Sequence, residues 1–202
     1  MTSKIALCNQ ALANIKAEAL IETLDESVDD SEEVRYCNIY YDQLRKQVLR
    51  DHEWGCATRY VTLTLTNTTP LDTRWNYMYQ RPSGYLRIQK IVNPADANVK
   101  IEYEQENHET EGRVILTNQE DAIAKMTIDL EDVSEFDDDL FNALSWLLAS
   151  HIAGPIGAGS NWATKALQMY NSMVGTAEAT DSNEQEDGHS GEVVASWTSA
   201  RL

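Results

Sequence analysis

Apolar residues recur along this chain with two different periods, and the switches between them divide it. Ile5, Cys8, Leu12 and Ile15 step by three and four residues, the spacing that puts side chains on one face of a helix. Ser3 is placed to cap it. Residues 20–31, LIETLDESVDDS, form an acidic link rich in turn formers. Val34, Cys37, Tyr41, Leu44 and Val48 then repeat the helical spacing more clearly. Asp29, Asp30 or Ser31 supplies the cap. Glu32 and Glu33 lie in the first turn and Arg45, Lys46 and Arg50 crowd the C-terminal half, a charge order the helix dipole favours. This helix is predicted to end near residues 52–55, with Trp54 folding back onto the helices.

The period becomes two at Arg59. RYVTLTLT (59–66) alternates Val61, Leu63 and Leu65 with Tyr60, Thr62 and Thr64, as a half-buried strand does. WNYMYQRPSGYLRIQKIV (75–92) reads as two extended pieces broken at Pro82, Ser83 and Gly84. Segments 97–107 (Val99, Ile101 and Tyr103 against charges), 111–118 and 124–132 complete an all-β stretch of roughly five or six strands. Helical spacing returns in DDDLFNALSWLLASHIA (137–153). Leu140, Leu144, Leu147, Leu148 and either His151 or Ile152 form its apolar face, which Phe141 and Trp146 widen. Gly154 and Pro155 are expected to stop it, the glycine as a left-handed cap. A fourth helix over 161–179 turns Trp162, Ala166, Met169, Tyr170 and Met173 inward.

Each helical pair carries an apolar stripe that needs a cover, so the two pairs are expected to meet. The predicted fold class is α+β: an antiparallel helical bundle with two helices from each end of the chain, an inserted, mostly antiparallel β domain, and an extended C-terminal tail. The expected boundaries are 1–56 and 133–180 for the bundle, 57–132 for the insert and 181–202 for a flexible tail.

Charge narrows the function classes. The 202 residues hold 33 acids and 16 bases, a net charge of −17. Binding free nucleic acid through a phosphate footprint needs clustered Lys and Arg, and an anionic membrane surface would repel this chain. The acidic excess is either a solvated surface or a surface that does not hold passing DNA. Cys8, Cys37 and Cys56 are an odd set without a disulfide pattern, and Cys8 and Cys37 fall at apolar helix positions. The N-terminus has no signal-peptide pattern, and no stretch approaches the ~20 apolar residues that cross a bilayer. A protein made and kept in a reducing cytosol, unless carried elsewhere in an assembly, is therefore expected.

Candidate chemistry is sparse. His52 lacks a second histidine at i+4, where Cys56 stands; His108 and His189 fall in polar loops, and His151 reads as a packing residue. The carboxylate run DLEDVSEFDDD (129–139) lacks the glycine and closing glutamate of a calcium loop, and reads as a capped helix start. There is no nucleophile elbow and no phosphate-binding loop. The residues point to no catalytic site, metal or cofactor. A metal-dependent enzyme built on Asp129, Asp132 and Asp137 ranks third among the readings, behind an acidic interaction module such as an inhibitor or DNA mimic.

The tail raises a different possibility. A small, polar, acidic stretch ends in GEVVASWTSARL (191–202), where Val193, Val194, Trp197, Arg201 and Leu202 gain nothing from exposure.

IALCNQALANI, the acidic link and YYDQLRKQVLRDHEWGCATR together resemble the N-terminal half of phage head-to-tail adaptors, the tail tubular protein A family of short-tailed phages. WNYMYQRPSGYLRIQKIV, the block IDLEDVSEFDDDLFNALSWLLASHIAGPI and the closing ASWTSARL follow in the same order. The resemblance implies a structural, non-catalytic virion protein that forms a ring at the head–tail interface, expected to be about twelve-fold. Its implied partners are other copies of itself, the portal protein and the tail nozzle protein. Double-stranded DNA would pass through the ring without specific binding, and no membrane is involved. The tail would dock on the portal. Trp197 would be its anchor, worth about 2–3 kcal/mol on burial. Arg201 would fork onto a carboxylate or carbonyls, Val193 and Val194 would add as a strand, and Leu202 would give apolar contact. Residues 102–139 hold fourteen acids against Arg113 and Lys125. Glu102, Glu104 and Glu106 are accordingly the candidate acidic channel face.

Overall fold

In a computed structural model that describes residues 3–96 and 99–187, four helices and two antiparallel sheets make an α+β fold. Helix α1 spans Lys4–Asn14, and the Ser3 side chain accepts the Ala6 amide. Helix α2 spans Glu32–Asp51. Of the three candidate caps Ser31 takes the role, accepting from Val34 N, while Asp29 holds the Ser31 amide at 3.0 Å. Helix α3 spans Asp138–Ile152, capped by Asp137, which accepts from Leu140 N at 2.7 Å. Helix α4 spans Ser160–Asp187.

Helix α3 is the hub: α1, α2 and α4 all pack on it. Leu140, Leu144, Leu147, Leu148 and Ile152 are buried, with Leu7, Leu12, Leu44 and Leu49 among their neighbours in the same core. Ile152, not His151, completes the apolar face, and the exposed His151 ring packs on Tyr40 with centroids 5.6 Å apart. Arg45, one of the cations that crowd the C-terminal half of α2, is 2% exposed. It bonds Asp129 at 2.5 Å and the Leu130 carbonyl at 2.7 Å, so a buried guanidinium clips α2 to the segment that returns from the sheets.

The end of α3 differs from expectation. Gly154 has no positive φ; Gly157 (76°) and Gly159 (92°) do. The Ile156 amide still bonds the Ile152 carbonyl. Winding therefore continues past Pro155, which removes only its own donor, and the reversal comes two residues later. In α4, Ala166, Tyr170, Val174 and Ala177 belong to or pack against the core, a spacing that leaves Met169 37% exposed. Residues 181–187, assigned to the flexible tail, are helical. No proline follows Ser160 in α4, and extending an existing helix costs far less than starting one.

Seven strands form the rest: β1 Thr58–Thr62, β2 Thr64–Leu65, β3 Tyr77–Gln80, β4 Tyr85–Ile91, β5 Tyr103–His108, β6 Gly112–Thr117 and β7 Ile123–Ile128. They build a three-stranded sheet ordered β1-β7-β4 and a four-stranded sheet ordered β2-β3-β6-β5. Leu63, Tyr79, Ile88, Ile91, Ile115, Ala122, Ala124 and Met126 make the core the sheets share. The strand expected over 59–66 is thus two strands in two sheets. Leu63, buried, is the crossing point, and its amide bonds Ala122 O at 2.9 Å. Beyond it the alternation fails, and Leu65 is 55% exposed. The turn at Gly84, with φ 76°, likewise separates strands of different sheets. Val99 is exposed and precedes β5 rather than belonging to it.

The end of α2 joins the three-stranded sheet through polar contacts. Arg87 donates to the Arg50 carbonyl at 2.6 Å and to Glu53 at 3.0 Å, and Lys125 reaches Glu53 at 3.3 Å. Trp54 is buried, as its folding back requires, with its indole N–H on the Val48 carbonyl at 2.8 Å.

Candidate functional site

Helix α4 has 28 residues and α3 has 15. At 1.5 Å per residue, a hairpin of the two leaves α4 about 20 Å longer than its partner. Trp162, Ala166, Tyr170, Val174 and Ala177 of α4 pack on the helical core. The helical backbone continues to Asp187. Val193, Val194, Trp197, Arg201 and Leu202, the candidate docking residues, lie outside the described residues.

Glu102, Glu104 and Glu106 lie on or just before β5, an outer strand of the four-stranded sheet. Charged side chains on an edge strand discourage unwanted pairing with another chain. Glu102 and Glu104 are exposed and Glu106 is half-buried. The three are not an unbroken acidic face. Glu104 accepts from Arg74 and from the Trp75 indole, both at 3.3 Å. Glu106 lines a cavity of about 300 Å³ together with Arg50, Arg81 and Arg113. Elsewhere in the acidic run, Asp129 answers Arg45 and Lys46, the latter at 3.3 Å. Part of the local negative charge, at Glu104 and Asp129, therefore meets cations brought from distant parts of the chain.

The carboxylates weighed as metal ligands have structural work. Asp129 holds Arg45, Asp132 accepts the Ser134 amide and hydroxyl, and Asp137 caps α3. Hydrogen bonds from Ser134 hold the Asp132 carboxyl below its ordinary range. Among the described residues no three His, Cys, Asp or Glu side chains cluster as a metal site would require. Cys8 and Cys37 are buried as a hydrogen-bonded pair, a bond that raises the Cys8 thiol and lowers that of Cys37; Cys56, half-buried, has its thiol pushed up to about 11, chiefly by desolvation. Raised thiols are poor nucleophiles at neutral pH.

The sequence matches no protein-family model and no curated protein. The functional reading rests on the chain itself. Among the described residues no helix is long and apolar enough to cross a membrane. Leu71, in the loop between β2 and β3, is 84% exposed, and Leu65 at the start of that loop is 55% exposed. Both stand out as apolar side chains without cover on the β part. Sequence reasoning missed the arginine grouping, because Arg50, Arg81 and Arg113 come from an α2 end, a turn and a hairpin that no local pattern connects.

Proposed function

We propose that this protein is a structural head-to-tail adaptor of a bacteriophage, assembling as a ring between portal and tail nozzle around the DNA exit channel. In this reading the four helices are an antiparallel bundle that meets neighbouring subunits and the portal. The sheets are an insert reaching toward the nozzle, with Leu65 and Leu71 as apolar contacts for it. The C-terminal segment is the portal strap, anchored by Trp197.

The observation that carries the reading is the overrun of α4 past α3. In this reading the apolar terminus that follows so long a helix seats on another protein. A polar strap ordered only on its partner costs little while free. The order of motifs along the chain supports the same assignment. Truncation after Gly191 tests it. Circular dichroism and the thermal midpoint are expected to match the full chain, while co-sedimentation with the portal assembly is lost. Portal binding undiminished by the truncation would refute the strap.

A further inference from the structure

The distribution of arginines points to a second contact. Arg45, Arg59, Arg74 and Arg87 have carboxylate partners. Arg35, Arg50, Arg81 and Arg113 have none among the described residues, in a chain with twice as many acids as bases. Three of those four line one cavity of about 300 Å³ between the end of α2, the β3–β4 turn and the β5–β6 hairpin. Gln105, Glu106 and Asn107 complete its polar wall, and Glu106 forms no ion pair with the arginines there.

Three guanidiniums in one cavity repel one another unless an anion sits among them. Arg81 feels this most. Burial, then Arg113 and Arg50, lowers its affinity for its proton. Its Nη2 is fixed by the Tyr85 and Leu86 carbonyls at 2.8 and 3.1 Å, and its buried Nε has no partner. The guanidinium is thus held in place by the carbonyls while part of its donor capacity stays unspent.

We propose that Arg50, Arg81 and Arg113 form a receptor for a carboxylate side chain of a second copy of this chain. The proposal rests on reading the protein as a ring subunit. Charge complementarity selects the occupant. Copies with net charge −17 repel on approach, and most of what one presents to another is carboxylate. A cavity lined by three guanidiniums against the single carboxylate of Glu106 is where that repulsion reverses. The long-range field that disfavours free dianions is screened within about 8 Å, whereas a carboxylate carried by a docking subunit arrives with its other contacts.

Sedimentation velocity of the full chain over a concentration series tests this with Arg50→Gln and Arg113→Gln. Both side chains are exposed, so the fold is expected to survive. Arg35→Gln, exposed on α2 outside the cavity, makes the same change in net charge and is the control. The expected result is that half-assembly needs at least tenfold more protein for Arg50→Gln and Arg113→Gln, and less than twofold more for Arg35→Gln. Rings that all three variants form like the wild type overturn the receptor and leave the ring reading standing. That holds whether or not inorganic phosphate gives a calorimetric signal that Arg113→Gln abolishes. A wild type that stays a 22.8 kDa species at every concentration overturns the second-copy occupant, while microscopy of the chain mixed with portal decides the ring reading separately.

Discussion

The helices and the sheets solve the burial problem differently. The helical core draws on α1, α2, α3 and α4, from both ends of the chain, and includes Leu7, Leu44, Leu140, Leu144 and Ile152 with no measurable exposure or close to none. The sheets share eight buried residues, and a separate small cluster of Met78, Val114 and Leu116 sits under Trp75. Charged and polar contacts supplement those cores at the sheet margins: Arg74 with Glu104, Thr68 with Glu111, Gln89 with Thr58 and Thr127. Buried apolar area is the larger source of stability. The helices therefore carry the fold, while the β part keeps a thinner core and leaves Leu65 and Leu71 uncovered.

The contrast can be broken by paired deletions. Leu144→Ala, at the hub, is expected to cost about 4 kcal/mol, and Ile115→Ala, in the sheet core, about 2–3 kcal/mol because fewer neighbours lose contacts there. Urea unfolding of both variants measures it. Equal costs would mean that the two cores are of one kind.

Next comes the clip between the regions. Arg45→Met leaves Asp129 facing Lys46 alone and is expected to cost about 3 kcal/mol, the low end for breaking a buried pair, since Asp129 is partly solvated. If the regions are coupled through Arg45, urea transitions followed by Trp75 emission and by helical ellipticity separate in this variant. Transitions that stay superimposed and barely shift would show that the clip is dispensable.

The smallest effect is a pH slope at the junction. Cys56, in the link from α2 to β1, has its thiol raised by burial from 9.0 to about 11. The unfolded chain then loses this proton first, so stability is full below pH 9 and falls as pH rises toward 11. Tyr41 and Tyr170 are also raised, mainly by burial, and add a fall of the same sign above pH 10. Cys56→Ala is expected to remove about 1–2 kcal/mol of the loss between pH 8 and 11. An unchanged slope would assign all of it to the buried Cys8, whose thiol is raised chiefly by its hydrogen bond with Cys37, and to the tyrosines.

The helices were legible in the sequence because their signals are local. Val34, Cys37, Tyr41, Leu44 and Val48 repeat at one spacing, and Ser3, Ser31 and Asp137 cap where they stand. The strands were less so. Their alternation reads the same whether one strand continues or hands over to another sheet, so the division at Leu63 was invisible, as was the exposure of Leu65. The candidate site shows the same limit. Glu102, Glu104 and Glu106 read as an acidic face, but Arg74 and Arg50, Arg81 and Arg113 arrive through tertiary structure. Helix α4 outran its expected end because its polar residues carry no stop signal before Asp187. The docking residues from Val193 to Leu202 lie outside the described residues.

Electron microscopy of the full chain mixed with its cognate portal assembly addresses the central claim most directly. The account predicts a closed ring of this protein seated coaxially on the portal. Portals that remain bare, with the chain left as free single subunits, would contradict it.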